Sequence, residues 1–196
     1  MQAGRRVYPL TLRGLRDRAR LRFPKGWKKW ALAIAVIVVA FLLVMLTDPI
    51  NKALASTPGF IPMEGWPPAQ NPNAVIASAE EAFPDVTLAG NWLFFISMFV
   101  VAGLIFNIIG EELDYRSFLL PKMRGVFGRW DWVANGVLFG GYHWHQPWQI
   151  PGSILVGIFA LAFPAKRFRS TWMSIIIHSF QYVILPAAIL GMLGIV

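Results

Sequence analysis

Four long apolar runs constrain most strongly what this chain of 196 residues can fold into. They occupy residues 30–46, 92–109, 153–163 and 171–196. Only 14% of the residues are charged, whereas soluble domains carry about 25%. Runs of this length and composition predict helices that cross a lipid bilayer. We therefore expect an all-α, polytopic integral membrane protein without a second large soluble domain.

The positive charge is concentrated near the N-terminus. Residues 1–29 contain ten of the eighteen Lys and Arg residues and one acid, Asp17. A basic segment of this kind could bind nucleic acid, but this one adjoins the apolar run at 30–46. We therefore expect it to contact membrane lipids with anionic headgroups and to control topology, and we expect no nucleic-acid partner.

Loop charge and proline content divide the chain into four parts. They are a basic cytoplasmic arm at 1–29, a first transmembrane anchor at 30–47, a Pro-rich non-cytoplasmic segment at 48–91 and a membrane core at 92–196. The tripeptide Ala53-Leu54-Ala55 resembles a signal-peptidase site, which would make the first run a cleaved signal peptide. The long basic arm and the length of the apolar run favour an uncleaved anchor.

The distribution of Lys and Arg among the loops predicts the topology. Basic loops alternate with loops that carry one such residue or none, in the order 1–29, 48–91, 121–130, 147–152, 165–170 and the C-terminus. About five transmembrane helices with a cytoplasmic N-terminus satisfy this alternation.

Ionisable side chains occur within three of the predicted spans. With a helical rise of about 1.5 Å per residue, Glu111 lies roughly 15 Å from the cytoplasmic edge, His143 about 18 Å and His178 about 10 Å. These depths fall in the cytoplasmic half of a hydrocarbon layer about 30 Å thick. Burying such groups is costly without a partner or a water-filled cavity, so the set predicts a functional site. The alternative is that the second span ends at Glu111 and the segment "EELDYR" is an interfacial cap.

Helical spacing predicts which side chains act together. Glu112 and Arg116 share a face and can form an ion pair, whereas Glu111 points about 100° away and can face a cavity. A carboxylate so placed can act as a general base on water. On the next span, His145 should lie opposite His143 if the helix persists, which favours an interfacial position for His145. His178 alone could equally be a hydrogen-bonded packing residue.

Three short motifs resemble those of the CPBP family of intramembrane proteases, which includes CAAX prenyl endopeptidases of the Ras-converting type and bacteriocin-processing or immunity proteins. The motifs are Glu-Glu-x-x-x-Arg, Phe-x-x-x-His, and His followed four residues later by Asn or Asp. In this chain they correspond to Glu111, Glu112 and Arg116, to Phe139 and His143, and to His178. The third motif is incomplete, because Tyr182 stands where the Asx is expected. The resemblance covers roughly residues 92–185.

The resemblance implies a helical membrane core and an endopeptidase site open to the cytoplasmic leaflet. In this family pattern Glu111 activates water with the help of His143 and His178. The supporting residues are Glu112, Arg116, Phe139 and Tyr182. The expected substrate is a membrane-bound or lipidated peptide.

The sequence leaves the question of a metal open. Glu111, His143 and His178 form a set that can bind zinc, but the same set can polarise water without one. No His-Glu-x-x-His motif requires a metal. The chain contains no cysteine, which excludes thiolate ligands, thiolate nucleophiles and disulfides.

Two other functions are compatible with the sequence. A catalytically silent membrane scaffold or immunity-type protein would keep the fold and bind partners, and Tyr182 favours this alternative. A small transporter or proton-relay protein could use Glu111 and the histidines as carriers. Such a protein would often show duplicated halves, and the sequence has no internal repeat.

Overall fold

The computed structural model describes residues 11–64, 66–76, 79–84, 87 and 90–180. Within these ranges the chain is helical and has no strand, so the predicted all-α fold is confirmed. The α-helices are α1 (Leu12–Arg18), α2 (Trp27–Ala55), α3 (Ala79–Ala82), α4 (Trp92–Phe95), α5 (Leu120–Phe127), α6 (Asp131–Tyr142), α7 (Ile150–Val156) and α8 (Phe163–Phe168). Residues 171–180 form a further helical segment.

Segments of 3-10 helix, which is wound more tightly, or of π-helix, which is wound more widely, join several of the α-helices. Short 3-10 turns occupy Pro68–Gln70, Gly128–Trp130, His143–His145 and Pro147–Gln149. Wider π-helical turns occupy Ile96–Gly110 and Leu113–Leu119 between α4 and α5, and Gly157–Ala162 between α7 and α8. π-Helical turns often occur at functional sites, and here two of them flank Glu111 and Glu112.

Three helical stretches of the described chain are long and apolar enough to cross a membrane, namely Trp27–Ala55, Trp92–His145 and Pro147–Phe168. The second includes two of the predicted crossings. Asn135 Nδ2 donates a hydrogen bond to the carbonyl of Tyr115, so the chain reverses direction between them. Gly128 lies in this reversal with a φ of 55°, a backbone conformation that glycine adopts more readily than other residues. The total of five crossings and the cytoplasmic N-terminus remain predictions, and residues 181–196 lie outside the described ranges.

Helix α2 extends past residue 47, where the sequence places the end of the first anchor. Pro49 lies inside the helix, which continues to Ala55 because a proline removes only one backbone hydrogen bond. Just before it, Thr47 Oγ1 donates to the carbonyl of Leu43 at 2.9 Å. Thr47 is buried against Gly152 of α7, where an added Cβ would lie 2.8 Å from Thr47 Oγ1. This packing holds the extended part of α2 against the core.

Glycines allow α6 to pack closely against α7 and the helical turn that follows it. A Cβ added at Gly136 would lie 2.5 Å from the backbone nitrogen of Ile158, and one added at Gly140 would lie 2.6 Å from that of Ile154. Small residues spaced by four are typical of helix pairs in membranes, because they allow the backbones to approach. The packing fixes the face of α6 that carries Phe139, which lies in the hydrophobic core.

The segment after α1 is attached to the start of the last described helix. The carbonyl of Ala19 accepts hydrogen bonds from the hydroxyls of Ser117 and Thr171, which are themselves 2.9 Å apart. The amide of Thr171 donates to the carbonyl of Arg20 at 3.0 Å. These bonds fix the beginning of helix 171–180, and His178 lies two turns further along it.

Candidate active site

Glu112 and Arg116 form a buried ion pair in the described structure. Arg116 Nε lies 3.3 Å from Glu112 Oε2, and both side chains are fully buried. Glu111 is also buried, with 9% of the residue exposed. All three side chains are thus buried within the protein, as the interpretation of the segment as a site expects.

His178 contacts the same carboxylate from another helix. Its Nδ1 lies 2.9 Å from Glu112 Oε1, while Arg116 approaches the other oxygen. A carboxylate that faces a guanidinium is an acceptor, so in a neutral His178 ring Nδ1 carries the proton and Nε2 presents a lone pair. Glu112 therefore fixes the orientation of His178 as well as the position of Arg116.

The ring of Phe139 lies at the centre of the candidate site. The Arg116 guanidinium carbon is 4.2 Å from the ring centroid, and the His143 and His178 rings lie 4.9 and 5.9 Å away. Tyr115 packs edge-on against Phe139 at 5.3 Å. Phe139 thus holds side chains from three helical segments in a common arrangement.

His143 begins a 3-10 turn at the end of α6. Its Nδ1 lies 2.9 Å from the carbonyl oxygen of Phe139, which can only accept, so Nε2 again presents a lone pair when the ring is neutral. The expectation that His145 lies opposite His143 required the α-helix to persist through both residues, and it does not. Because the α-helix ends at Tyr142, the two imidazole rings stack with centroids 5.9 Å apart.

Glu111 lies on the wall of a groove of about 510 Å³. The other lining residues are Phe106, Gly110, Asp114, Tyr115, Phe118, Leu119 and Tyr142. Within the part of the chain that the structure describes, Glu111 Oε2 is buried and has no hydrogen-bond partner. The groove therefore combines one buried carboxylate, two tyrosine rings and an apolar wall.

The predicted site residues separate into two neighbouring groups. Glu112, Arg116, Phe139 and His178 are in direct contact, and His143 joins them through Phe139. Glu111 lies beside this group and interacts electrostatically with His178, Glu112 and Arg116. No hydrogen bond links Glu111 to either histidine in the described structure. Tyr182 lies outside the described residues.

The arrangement also bears on the predicted zinc ligands. Across the described ranges, no three or more His, Asp or Glu side chains are grouped closely enough to hold a metal ion. Glu111, His143 and His178 all fall within those ranges. As arranged here, they do not fit a zinc site.

Reasoning from the sequence did not identify Tyr115 and Tyr142 as lining residues of the groove. Tyr115 follows Glu111 by four residues and Tyr142 precedes His143, and their rings lie 5.9 Å apart. The four-residue spacing of Glu111 and Tyr115 places them on the same helix face, and this could have indicated that Tyr115 lies beside Glu111. The position of Tyr142 was not predictable, because it depends on how α6 packs against Leu113–Leu119.

Comparison with known proteins found a match to one protein family. Residues 90–184 match the model of the Rce1-like family, described as type II CAAX prenyl endopeptidase Rce1-like. No curated protein and no solved structure matches the chain. The matched residues contain the candidate site, and the helices are long and apolar enough for a membrane protein. The match of residues 90–184 supports an assignment to the CPBP/CAAX protease family.

Proposed function

We propose that this protein is an intramembrane endopeptidase that hydrolyses a peptide bond of a membrane-associated or lipidated substrate. The observation that carries the proposal is the position of Glu111. It is a buried carboxylate with an oxygen that lacks a hydrogen-bond partner among the described residues, it lines a groove, and it interacts electrostatically with His178. A carboxylate in this setting can bind a water molecule and accept its proton.

Other polar atoms of the same site lack hydrogen-bond partners in the described structure, although Glu112 Oε2 and Arg116 Nε face each other as an ion pair. In the described ranges, the buried side-chain atoms without hydrogen-bond partners belong to Glu111, Glu112, Arg116, Asn135 and Trp148. Four of these five residues belong to the site or contact it. Buried polar groups normally have partners, so a cluster of exceptions supports a site that binds polar ligand groups.

The proposed reaction uses Glu111 as the general base. Glu111 accepts a proton as the water oxygen attacks the carbonyl carbon, and the same proton passes to the amine nitrogen when the C–N bond breaks. His178 and His143 each present Nε2 as an acceptor, which suits them to orient the water or assist the proton transfer. Glu112 is a positioning residue that holds His178, and Arg116 braces Glu112.

Developing negative charge on the carbonyl oxygen requires a hydrogen-bond donor. The hydroxyls of Tyr115 and Tyr142 are the donors that the groove offers beside Glu111. In the family pattern an Asx occupies position 182, where this chain has Tyr182. We propose that tyrosine hydroxyls supply this stabilisation here.

The substrate class follows from the groove and the family. Phe106, Phe118 and Leu119 form an apolar wall next to Glu111, which suits a peptide whose reacting bond is next to a lipid group. The matched family is named for prenylated CAAX substrates. We propose a prenylated peptide as the first substrate to test.

The test uses the full chain in lipid nanodiscs with a farnesylated CAAX peptide and the same peptide without the lipid. We expect cleavage of the farnesylated peptide, located by mass spectrometry, and its loss in Glu111→Ala and His143→Ala. Membrane insertion should be unchanged in both variants. Equal cleavage by wild type and Glu111→Ala would reject the proposed role of Glu111.

A second candidate function is a catalytically silent membrane scaffold or immunity-type protein of the same fold. The observation that favours it is Tyr182 at the Asx position. In that case Glu111→Ala and His143→Ala would retain partner binding and phenotype. A gain of proteolysis in Tyr182→Asn would show that the departure impairs catalysis.

A further inference from the structure

A second pocket shares no lining residue with the groove at Glu111 and has a different chemistry. It has a volume of about 450 Å³. Its described lining includes five cationic side chains and one acidic one, which are Arg20, Arg124, Arg129, Lys166, Arg169 and Asp131. Asp131 is buried and forms an ion pair with Lys166. The cations therefore outnumber the acid by a wide margin within one concave space.

The pocket draws on all three basic segments of the sequence. Arg20 comes from the N-terminal arm, Arg124 and Arg129 from the loop at 121–130, and Lys166 and Arg169 from the loop at 165–170. The sequence predicts that these segments lie on the same, cytoplasmic side of the membrane. Topology control requires only that the charges lie on one side. It does not require that they line a common pocket.

The backbone around the pocket is fixed. Arg20 and Arg169 have φ angles of 54° and 49°, which non-glycine residues adopt mainly where the surrounding structure holds them. The carbonyl of Arg20 accepts from Thr171, and the amide of Arg169 donates to the carbonyl of Lys166. Lys166 Nζ also donates to the carbonyl of Arg129 at 2.9 Å. The cations are therefore presented by a preformed frame.

We propose that this pocket binds a phosphate group, either that of an anionic lipid headgroup or free phosphate. Guanidinium groups match phosphate oxygens with paired, charge-assisted hydrogen bonds. Basic pockets between membrane helices on the cytoplasmic side are suited to anionic headgroups, which lie at that level of the bilayer. A bound phosphate would also offset part of the excess positive charge that lines the pocket.

The test compares two double variants that remove the same charge from the same two loops. Arg124→Gln/Arg169→Gln changes the pocket lining. Lys122→Gln/Arg167→Gln changes exposed residues outside it, which contact the rings of Phe118 and Phe168. The full-length proteins in neutral detergent are titrated at constant ionic strength with a short-chain phosphatidylglycerol or with inorganic phosphate. Binding is measured as the rise in melting temperature.

We expect wild type and the control double variant to be stabilised alike, and the pocket variant to bind about tenfold more weakly or worse. Stabilisation by the lipid alone identifies a headgroup site, and stabilisation by both ligands identifies a phosphate site that also accepts the free ion. Equal responses of the two double variants, or no response of wild type to either ligand, would overturn the proposal. If the pocket double variant does not fold, Arg169→Gln compared with Arg167→Gln gives the same test.

Discussion

His178 Nδ1 lies 2.9 Å from Glu112 Oε1, and Arg116 approaches the second oxygen of the same carboxylate at 3.3 Å. Glu112 thereby joins a histidine from the helix at 171–180 to an arginine four residues further along its own helix. Glu112 thus holds two neighbouring side chains in place, whereas Glu111 lines the groove.

Removing the charge of Glu112 should destabilise the protein. In Glu112→Gln the Arg116 guanidinium would stay buried without its counter-ion, a change that typically costs about 3–5 kcal/mol. The free energy of unfolding in detergent measures this cost. In Glu112→Leu/Arg116→Met, which removes both charges, we expect stability to recover but proteolysis to stay lost, because His178 has lost its partner. Full activity of the double variant would show that Glu112 does not position His178.

The packing of α6 gives a prediction with a control at the adjacent residue. Gly140→Ala places a methyl group against the backbone of Ile154 and should cost about 1–3 kcal/mol. Gly141→Ala meets nothing within 4 Å and should be neutral or stabilising by up to about 1 kcal/mol. Thermal unfolding of the two variants separates these outcomes. Equal stability would contradict the close approach of the helices.

Much of this architecture could be predicted from the sequence, because apolar runs and helical spacing are local signals. They gave the all-α class and the face shared by Glu112 and Arg116. The extension of α2 beyond residue 47 was not predictable, because Thr47 and Pro49 resemble a helix terminus when the packing of Thr47 against Gly152 is unknown. The stacking of His143 on His145 depends on where α6 ends, which spacing alone does not indicate.

The site itself was only partly predictable. The motifs identified Glu111, His143 and His178 as separate contributions to one site, but they did not indicate that His178 contacts Glu112. That contact depends on how helix 171–180 is held by Ala19, Ser117 and Thr171. The lining tyrosines were missed for the same reason, since Tyr142 reaches the groove through tertiary packing.

The hydroxyls of Ser117 and Thr171 should hold the N-terminal segment in place. In Ser117→Ala/Thr171→Val the carbonyl of Ala19 loses both hydroxyl donors, so we expect faster hydrogen exchange in residues 12–22. Ser97→Ala is the matched control, because Ser97 bonds only to carbonyls of its own helix in the described structure. Similar exchange in both variants would reject the proposed attachment.

The groove tyrosines should affect the chemical step. If a tyrosine hydroxyl stabilises the developing oxyanion, its loss in Tyr115→Phe or Tyr142→Phe should lower kcat by about 100-fold or more with little change in KM. Steady-state kinetics with the farnesylated peptide measure this effect. A rise in KM at unchanged kcat in both variants would instead indicate that the tyrosines only bind substrate.

The most direct test of the account compares two acids in the same groove. Glu111→Gln and Asp114→Asn each replace a carboxylate by an amide of nearly the same shape, but Glu111 is buried whereas Asp114 is exposed. We measure single-turnover cleavage of the farnesylated peptide in nanodiscs. We expect a loss of at least about 100-fold in Glu111→Gln, as for the removal of a general base, and near wild-type cleavage in Asp114→Asn. Wild-type cleavage by Glu111→Gln would contradict this role.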